Sequence, residues 1–211
     1  MKPCSPSKLH RCLDERFLTD SMMDTRDRRI ASQKAREWIE SNPVYLDTET
    51  TGLGNYDEVI EIVVMDDQAN SLYASLIKPR GKIDPEAGRI HGITHDMLVT
   101  APGWIDVWPQ AKAVMANRRI GVYNVEFDKR LINQSCDRSG MPRSLPEGIF
   151  FDIMKIYAQF YGVKDPYRGT YRYQSLEQAG KQCNIPLPNA HRALADCLLA
   201  RALLHYMADS P

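Results

Sequence analysis

Apolar residues recur along the chain with two different periods. In residues 27–41, DRRIASQKAREWIES, the positions Ile30, Ala31, Lys34, Ala35, Trp38 and Ile39 form a mostly apolar stripe at helical spacing. This predicts a helix laid on the rest of the protein and stopped by Asn42-Pro43. From Val44 the pattern changes. VYLDTE (Val44–Glu49) is short, rich in strand formers and ends at a Thr-Thr-Gly-Leu-Gly turn. Glu58–Met65 and Leu72–Ile77 read as two further strands. The polar connector DDQAN joins them as an antiparallel hairpin, which Pro79 ends.

After the hairpin the helical period returns. Residues 84–98 predict short helical turns, and residues 103–117 predict a longer helix interrupted in pattern by Pro109. Ile120–Tyr123 is a short strand followed by an amphipathic helix, Val125–Arg138. Phe151–Ile153 is a strand edge running into a helix through Phe160. Ser175 caps a helix through Lys181, Pro186 and Pro188 break the chain, and a last helix runs from about His191 to Met207. A meander followed by alternating helices and strands predicts an α/β fold, a mixed β-sheet flanked by helices. Residues 1–43 are an N-terminal arm and helix, with a short helix expected near Leu13–Leu18. The remaining domain spans residues 44–208.

Composition narrows this picture. At 211 residues the chain suits one well-buried domain with an extension. No apolar run is long enough to cross a bilayer, and the first residues, MKPCSPSKLHRCLDERF, lack the apolar stretch of a signal peptide. A cytoplasmic protein without a membrane partner is expected. The five cysteines have no paired spacing and are expected as free thiols.

Net charge is zero, but its distribution is uneven: residues 44–110 hold four Lys/Arg against eleven Asp/Glu, and residues 111–192 hold thirteen against seven. An acidic stretch followed by a basic one suits a metal site beside a polyanion groove. Residues 161–173, YGVKDPYRGTYRY, interleave Lys164, Arg168 and Arg172 with four tyrosines. Such a loop is expected to flank the site and grip single-stranded nucleic acid, cations on phosphates and rings on bases.

Four acids stand out. Asp47 and Glu49 are two apart on a strand, so both project from one face at its C-terminal end. Acids held together repel, and a shared cation relieves the repulsion. Asp128 borders the apolar stripe of its helix beside Leu131 and Ile132, and Asp196 shares a face with Leu199, Ala200 and Leu203. An acid in such a place needs a partner. His191 precedes Asp196 by five residues, about 500° of helical rotation, so the two cannot share a helix face. His191 is therefore expected in the turn entering the helix. Each residue alone has an ordinary explanation as a solvated strand end, a salt-bridged acid or a surface histidine. Together, four carboxylates suit two Mg²⁺ or Mn²⁺ ions and phosphodiester cleavage, with an imidazole available to take a proton from water.

Three ordered motifs carry a family resemblance. Val44–Leu53 (VYLDTETTGL), Asn124–Asp128 (NVEFD) and His191–Asp196 (HRALAD) resemble the three motifs of the DnaQ-like, or DEDD, 3′→5′ exonuclease superfamily, in its histidine form. That superfamily includes bacterial polymerase proofreading subunits. His91-Gly92-Ile93-Thr94 also resembles a segment of the proofreading branch. One position departs, with Tyr123 where many members carry histidine.

The resemblance implies a ribonuclease H-like fold, two metals held by Asp47, Glu49, Asp128 and Asp196, and His191 as general base. It also implies that Thr50 and Leu53 contact the terminal nucleotide, while Asn124 holds the loop or touches substrate. The expected partners are single-stranded DNA or RNA 3′ ends, with a protein partner at the N-terminal arm. DNA is the first reading, RNA the alternative. A non-catalytic nucleic-acid-binding module is the third, and the presence of all five catalytic-type residues argues against it.

Overall fold

The computed structural model describes residues 25–145, 150–167, 169–186 and 191–211. The short helix expected near Leu13–Leu18 lies outside them. Helix α1 (Thr25–Glu40) is the predicted first helix. Ala31 and Ala35 on its stripe are fully buried, and Trp38 stacks on Phe151 with ring centroids 4.4 Å apart. Arg36 donates from Nη1 to the Ala208 carbonyl, tying α1 to the far end of the chain.

Five strands follow: β1 (Val44–Thr50), β2 (Val59–Asp66), β3 (Ser71–Leu76), β4 (Ile120–Val122) and β5 (Phe150–Asp152). Their spatial order is β3-β2-β1-β4-β5. β1 pairs antiparallel with β2 and parallel with β4, while β2–β3 is antiparallel and β4–β5 parallel. The helices are α2 (Pro85–His91), α3 (His95–Leu98), α4 (Trp104–Met115), α5 (Val125–Arg138), α6 (Ile153–Tyr161), α7 (Leu176–Gln182) and α8 (Ala193–Asp209). Among the described residues no helix is long and apolar enough to cross a membrane. Cys136, Cys183 and Cys197 are buried free thiols.

Strand alternation sorts the core into two layers. Val44 and Leu46 face α4 and α5, packing with Trp104, Trp108, Leu131 and Ile132. Tyr45 faces the other way, with Ala31, Tyr157, Leu199 and Leu203 of α1, α6 and α8. α4 runs straight through Pro109, keeping Val107, Trp108 and Ala111 buried. Burial and stacking of Trp104 and Trp108, 5.2 Å apart, offset part of the lost N–H bond.

Two features of the sheet position the site. β4 pairs with β1 only at Val44 and Tyr45 and stops at Val122, so the Asp47–Thr50 end of β1 overhangs its parallel neighbour. The strand order also reverses beside β1, and ligands of α/β sheets bind at the carboxyl ends of strands at such points. Gly121 lets β4 and β5 approach: a Cβ there would lie 2.6 Å from Phe151 Cζ. Gly121→Ala is therefore expected to cost about 1–3 kcal/mol. Urea unfolding would show this as a lowered midpoint, and an unchanged midpoint would mean that the ring moves aside freely.

Candidate active site

The overhanging end of β1 carries Asp47 and Glu49 on the face turned toward α8. Asp196, in the first turn of α8, meets them there: one carboxylate oxygen from each of Asp47, Glu49 and Asp196 lies within 4.8 Å of the others. Asp128 arrives from the opposite layer. Ser135 Oγ accepts from the Val59 amide at 2.9 Å, which docks α5 on the start of β2. Two turns earlier on the same face, buried Asp128 accepts from Thr48 Oγ1 at 2.8 Å. Asn124 caps α5, its Oδ1 accepting from the Phe127 amide at 3.4 Å.

The electrostatics follow from the crowding. Burial pushes Asp47 well above the usual carboxylate range, and the charges of Asp128, Asp196, Glu49 and Glu61 push it further. Glu49 is raised to about 8 by burial and then by Asp196, Glu61 and Asp128. Asp128 is raised to about 7 by burial, against the Thr48 hydrogen bond, and Asp196 to about 6 by burial, against the nearby His191 charge. Such a cluster holds protons near neutral pH unless a cation replaces them. Asp196 Oδ1 is buried with no hydrogen-bond partner among the described residues. An orphaned carboxylate oxygen, in a donor set made only of carboxylates, fits a hard divalent metal.

His191 stands in the turn before α8, as its spacing from Asp196 requires. The helix starts at Ala193, two residues later than the expected start near His191. The backbone at His191 is left-handed (φ 43°), which costs roughly 1–2 kcal/mol in an L-residue. His191 lies within electrostatic reach of Asp196 and of Glu177 at the start of α7.

Beside Glu49 lies a cavity of about 440 Å³ whose lining includes Thr50, Leu53, Ile90, His91 and Phe127. Leu53 is 77% exposed and Ile90 52%, so both present apolar surface to an incoming group. The turn that carries Leu53 is braced by Asp57, which accepts from Thr51 Oγ1 at 2.7 Å and from the Gly54 amide at 2.6 Å. A Cβ on Gly52 would meet Asp57 Oδ2 at 2.8 Å, so a larger residue there would have to displace the carboxylate that braces the turn. His91 Nδ1 accepts from the Ile93 amide, placing the proton of the neutral ring on Nε2.

The tyrosine-rich loop divides. Lys164 Nζ lies 2.7 Å from Tyr171 Oη, and both groups engage Asp27 of α1. They face α1, not a groove, which departs from the expectation for Lys164. Arg168 lies outside the described residues. Just past the loop, the Gln174 carbonyl accepts from Tyr123 Oη at 2.9 Å, and Tyr123 precedes the α5 cap by one residue. Tyr173 lies within electrostatic reach of Lys155, which in turn bonds Glu126 at 2.7 Å. Arg172, Tyr173 and Gln178 border a second cavity of about 270 Å³.

Sequence reasoning missed Glu61 and Arg192. Arg192 Nε and Nη2 both bond the Glu61 carboxylate, which stands across from Glu49 in the β1–β2 register. The available signal was an acid inside the otherwise apolar run VIEIVVM.

A mixed sheet with helices on both faces and acids at the end of its central strand defines the ribonuclease H-like class. A family model described as Exonuclease (RNase_T) matches residues 44–204. The chain is 32% identical over 185 residues to the uncharacterized exonuclease CP81 of Escherichia phage 186, covering 84% of this chain and 93% of that one. It is 29% identical over 164 residues to exodeoxyribonuclease 10 of Escherichia coli K12, covering 75% of this chain and 65% of that protein. Among solved structures, exonuclease X in complex with 5′ overhanging duplex DNA aligns with a TM-score of 0.57 at 27% identity, over 79% of this chain and 92% of that one. The chain belongs to this exonuclease family, as a DnaQ-like 3′→5′ exonuclease.

Proposed function

We propose that this protein removes 5′-mononucleotides from the 3′-hydroxyl end of DNA, preferring single strands. The carboxylates Asp47, Glu49, Asp128 and Asp196 hold two Mg²⁺ or Mn²⁺ ions, and residues 44–208 carry the activity. The observation that supports this best is the convergence of Asp47, Glu49 and Asp196, with Glu49 bordering the 440 Å³ cavity that Leu53 also lines. When bound, the two ions supply Lewis-acid chemistry at the scissile phosphodiester. The protein's own groups do the rest. Leu53, Ile90 and Phe127 offer apolar surface to the terminal base, and Thr50 lines the same cavity. His191 takes the proton of the attacking water.

The DNA assignment follows the names of the relatives. Matched DNA and RNA oligonucleotides, end-labelled linear strands and circular strands test it together. Nucleotide release from linear DNA ends is expected, with a 3′-phosphate blocking it. Efficient cutting of circles would overturn the exonuclease reading, and faster release from RNA would move the substrate to RNA. Residues 1–26 are proposed to be dispensable for the chemistry and to serve a protein partner, whereas α1 packs on the core.

The strand leading away from the site is proposed to run over Arg172 and Tyr173. Replacing both with alanine should raise KM for an oligonucleotide by about tenfold or more, since stacking alone contributes roughly 1–3 kcal/mol per base. It should also flatten the salt dependence. Lys164→Ala should leave KM unchanged, because Lys164 is engaged with α1. Equal effects of the two replacements would place the strand elsewhere.

A further inference from the structure

Glu61 is a fifth carboxylate beside the cluster, yet it cannot serve as a metal ligand. Arg192 Nε lies 3.2 Å from its Oε1 and 3.0 Å from its Oε2, Arg192 Nη2 lies 2.5 Å from Oε1, and the Ala193 amide donates to Oε2 at 3.0 Å. Three donors making four contacts occupy the lone-pair sites of a carboxylate. The Glu61 side chain is 10% exposed, while Arg192 reaches it from a side chain that is 41% exposed.

The placement of these bonds matters more than their number. Arg192 is the N-cap of α8 and makes no side-chain cap bond to its own helix. Glu61 supplies the cap from the neighbouring strand, accepting one of the amides that a helix start leaves unpaired. On one side of this anchor, His191 is held in a left-handed backbone. On the other, Asp196 follows one turn into the helix. Glu61 itself is registered directly against Glu49 on β1. The start of α8 is thereby pinned to β2, whose register partner β1 carries Asp47 and Glu49.

We infer that Glu61 and Arg192 form a clamp that positions His191 and Asp196 against Asp47 and Glu49. They are positioning residues and touch no substrate. The rate arm of the test rests on the exonuclease reading, and a spectroscopic arm does not. Glu61→Ala, Glu61→Gln, Arg192→Ala and Arg192→Lys are compared with the full chain. In oligonucleotide cleavage, the alanine variants should lower kcat by about 10- to 100-fold, the usual cost of losing a partner that orients a metal ligand, with KM within about twofold. Glu61→Gln keeps an acceptor for the Ala193 amide and should recover part of the loss. The double alanine variant should be no slower than either single one, because the two residues act as a unit.

In the metal-free protein, the His191 imidazole resonance, assigned by its disappearance in His191→Asn, should shift or broaden in every clamp variant while the His95 and His205 signals stay in place; His91 lies within electrostatic reach of Glu61 and Arg192 and is not used as a control. If the alanine variants do not fold, Glu61→Gln and Arg192→Lys carry both measurements. Wild-type kcat with an unmoved His191 signal would overturn the clamp. So would a rise in KM alone in the Arg192 variants, which would make Arg192 a substrate contact. A wild-type protein that releases no nucleotide would instead defeat the exonuclease reading and leave the resonance to decide the clamp.

Discussion

Asp47→Asn should abolish nucleotide release while making the metal-free protein more stable at pH 8. Both effects come from one cause. Burial, then the charges of Asp128, Asp196, Glu49 and Glu61, raise Asp47 well above the usual carboxylate range, while Glu49 rises to about 8, Asp128 to about 7 and Asp196 to about 6. A group with a raised folded-state pKa binds more protons folded than unfolded, so stability falls as pH climbs from the unfolded value toward the folded one. The metal-free protein should therefore lose stability between about pH 4.5 and pH 8, opposite to the usual acid behaviour of paired carboxylates. Removing the most crowded charge relieves the repulsion. If the relief is about 1–2 kcal/mol, Tm at pH 8 rises by roughly 2–8 °C for a chain of this size. The gain should shrink at pH 5.5, where the carboxylates are protonated anyway. Divalent cation should stabilise the native protein most at pH 8, by mass action on the folded state, and should do little for the variant. Nuclease activity of Asp47→Asn at the wild-type level, or full wild-type activity in excess chelator, would remove the metal reading. A metal-free protein more stable at pH 8 than at pH 5.5 would remove the repulsion argument.

Much of this site was legible because its residues break local patterns. Asp128 and Asp196 interrupt apolar helix faces, and Asp47 with Glu49 sit on one side of a strand by parity alone. His191 could be placed in a turn because five residues do not return to one helix face, and the left-handed backbone at His191 is how the turn is made. The strand order was not legible. That β4 lies beside β1, and stops short of it, depends on pairing between residues far apart in the chain, which no local period encodes. Glu61 shows the same limit. A charge in a buried strand demands a partner, but that partner is Arg192, 131 positions away, and spacing cannot name it. In the tyrosine-rich loop, composition correctly announced cations among rings. It could not show that Asp27 of α1 engages Lys164 and Tyr171, leaving Arg172 and Tyr173 at the rim.

Removing the imidazole of His191 should lower kcat by about 10²- to 10⁴-fold, the range for loss of a general base, with little change in KM or in cation affinity. The carboxylate cluster assembles from Asp47, Glu49 and Asp196 without it, so the metals have no need of the ring. The choice of substitution decides what is measured. At φ 43° an alanine strains the turn as well as deleting the base, whereas asparagine tolerates the left-handed region. His191→Asn should therefore retain the wild-type Tm, and its rate loss reports chemistry alone. His191→Ala should lose the same rate and some stability in addition. Imidazole added to the buffer should restore part of the kcat of either variant, because a diffusible base can enter the space the ring leaves. Restoration would not occur if His191 only shaped the turn. A His191→Asn protein with wild-type kcat would leave the metal site standing and require another residue to accept the proton. A variant with unchanged kcat and a tenfold higher KM would instead make His191 a substrate contact.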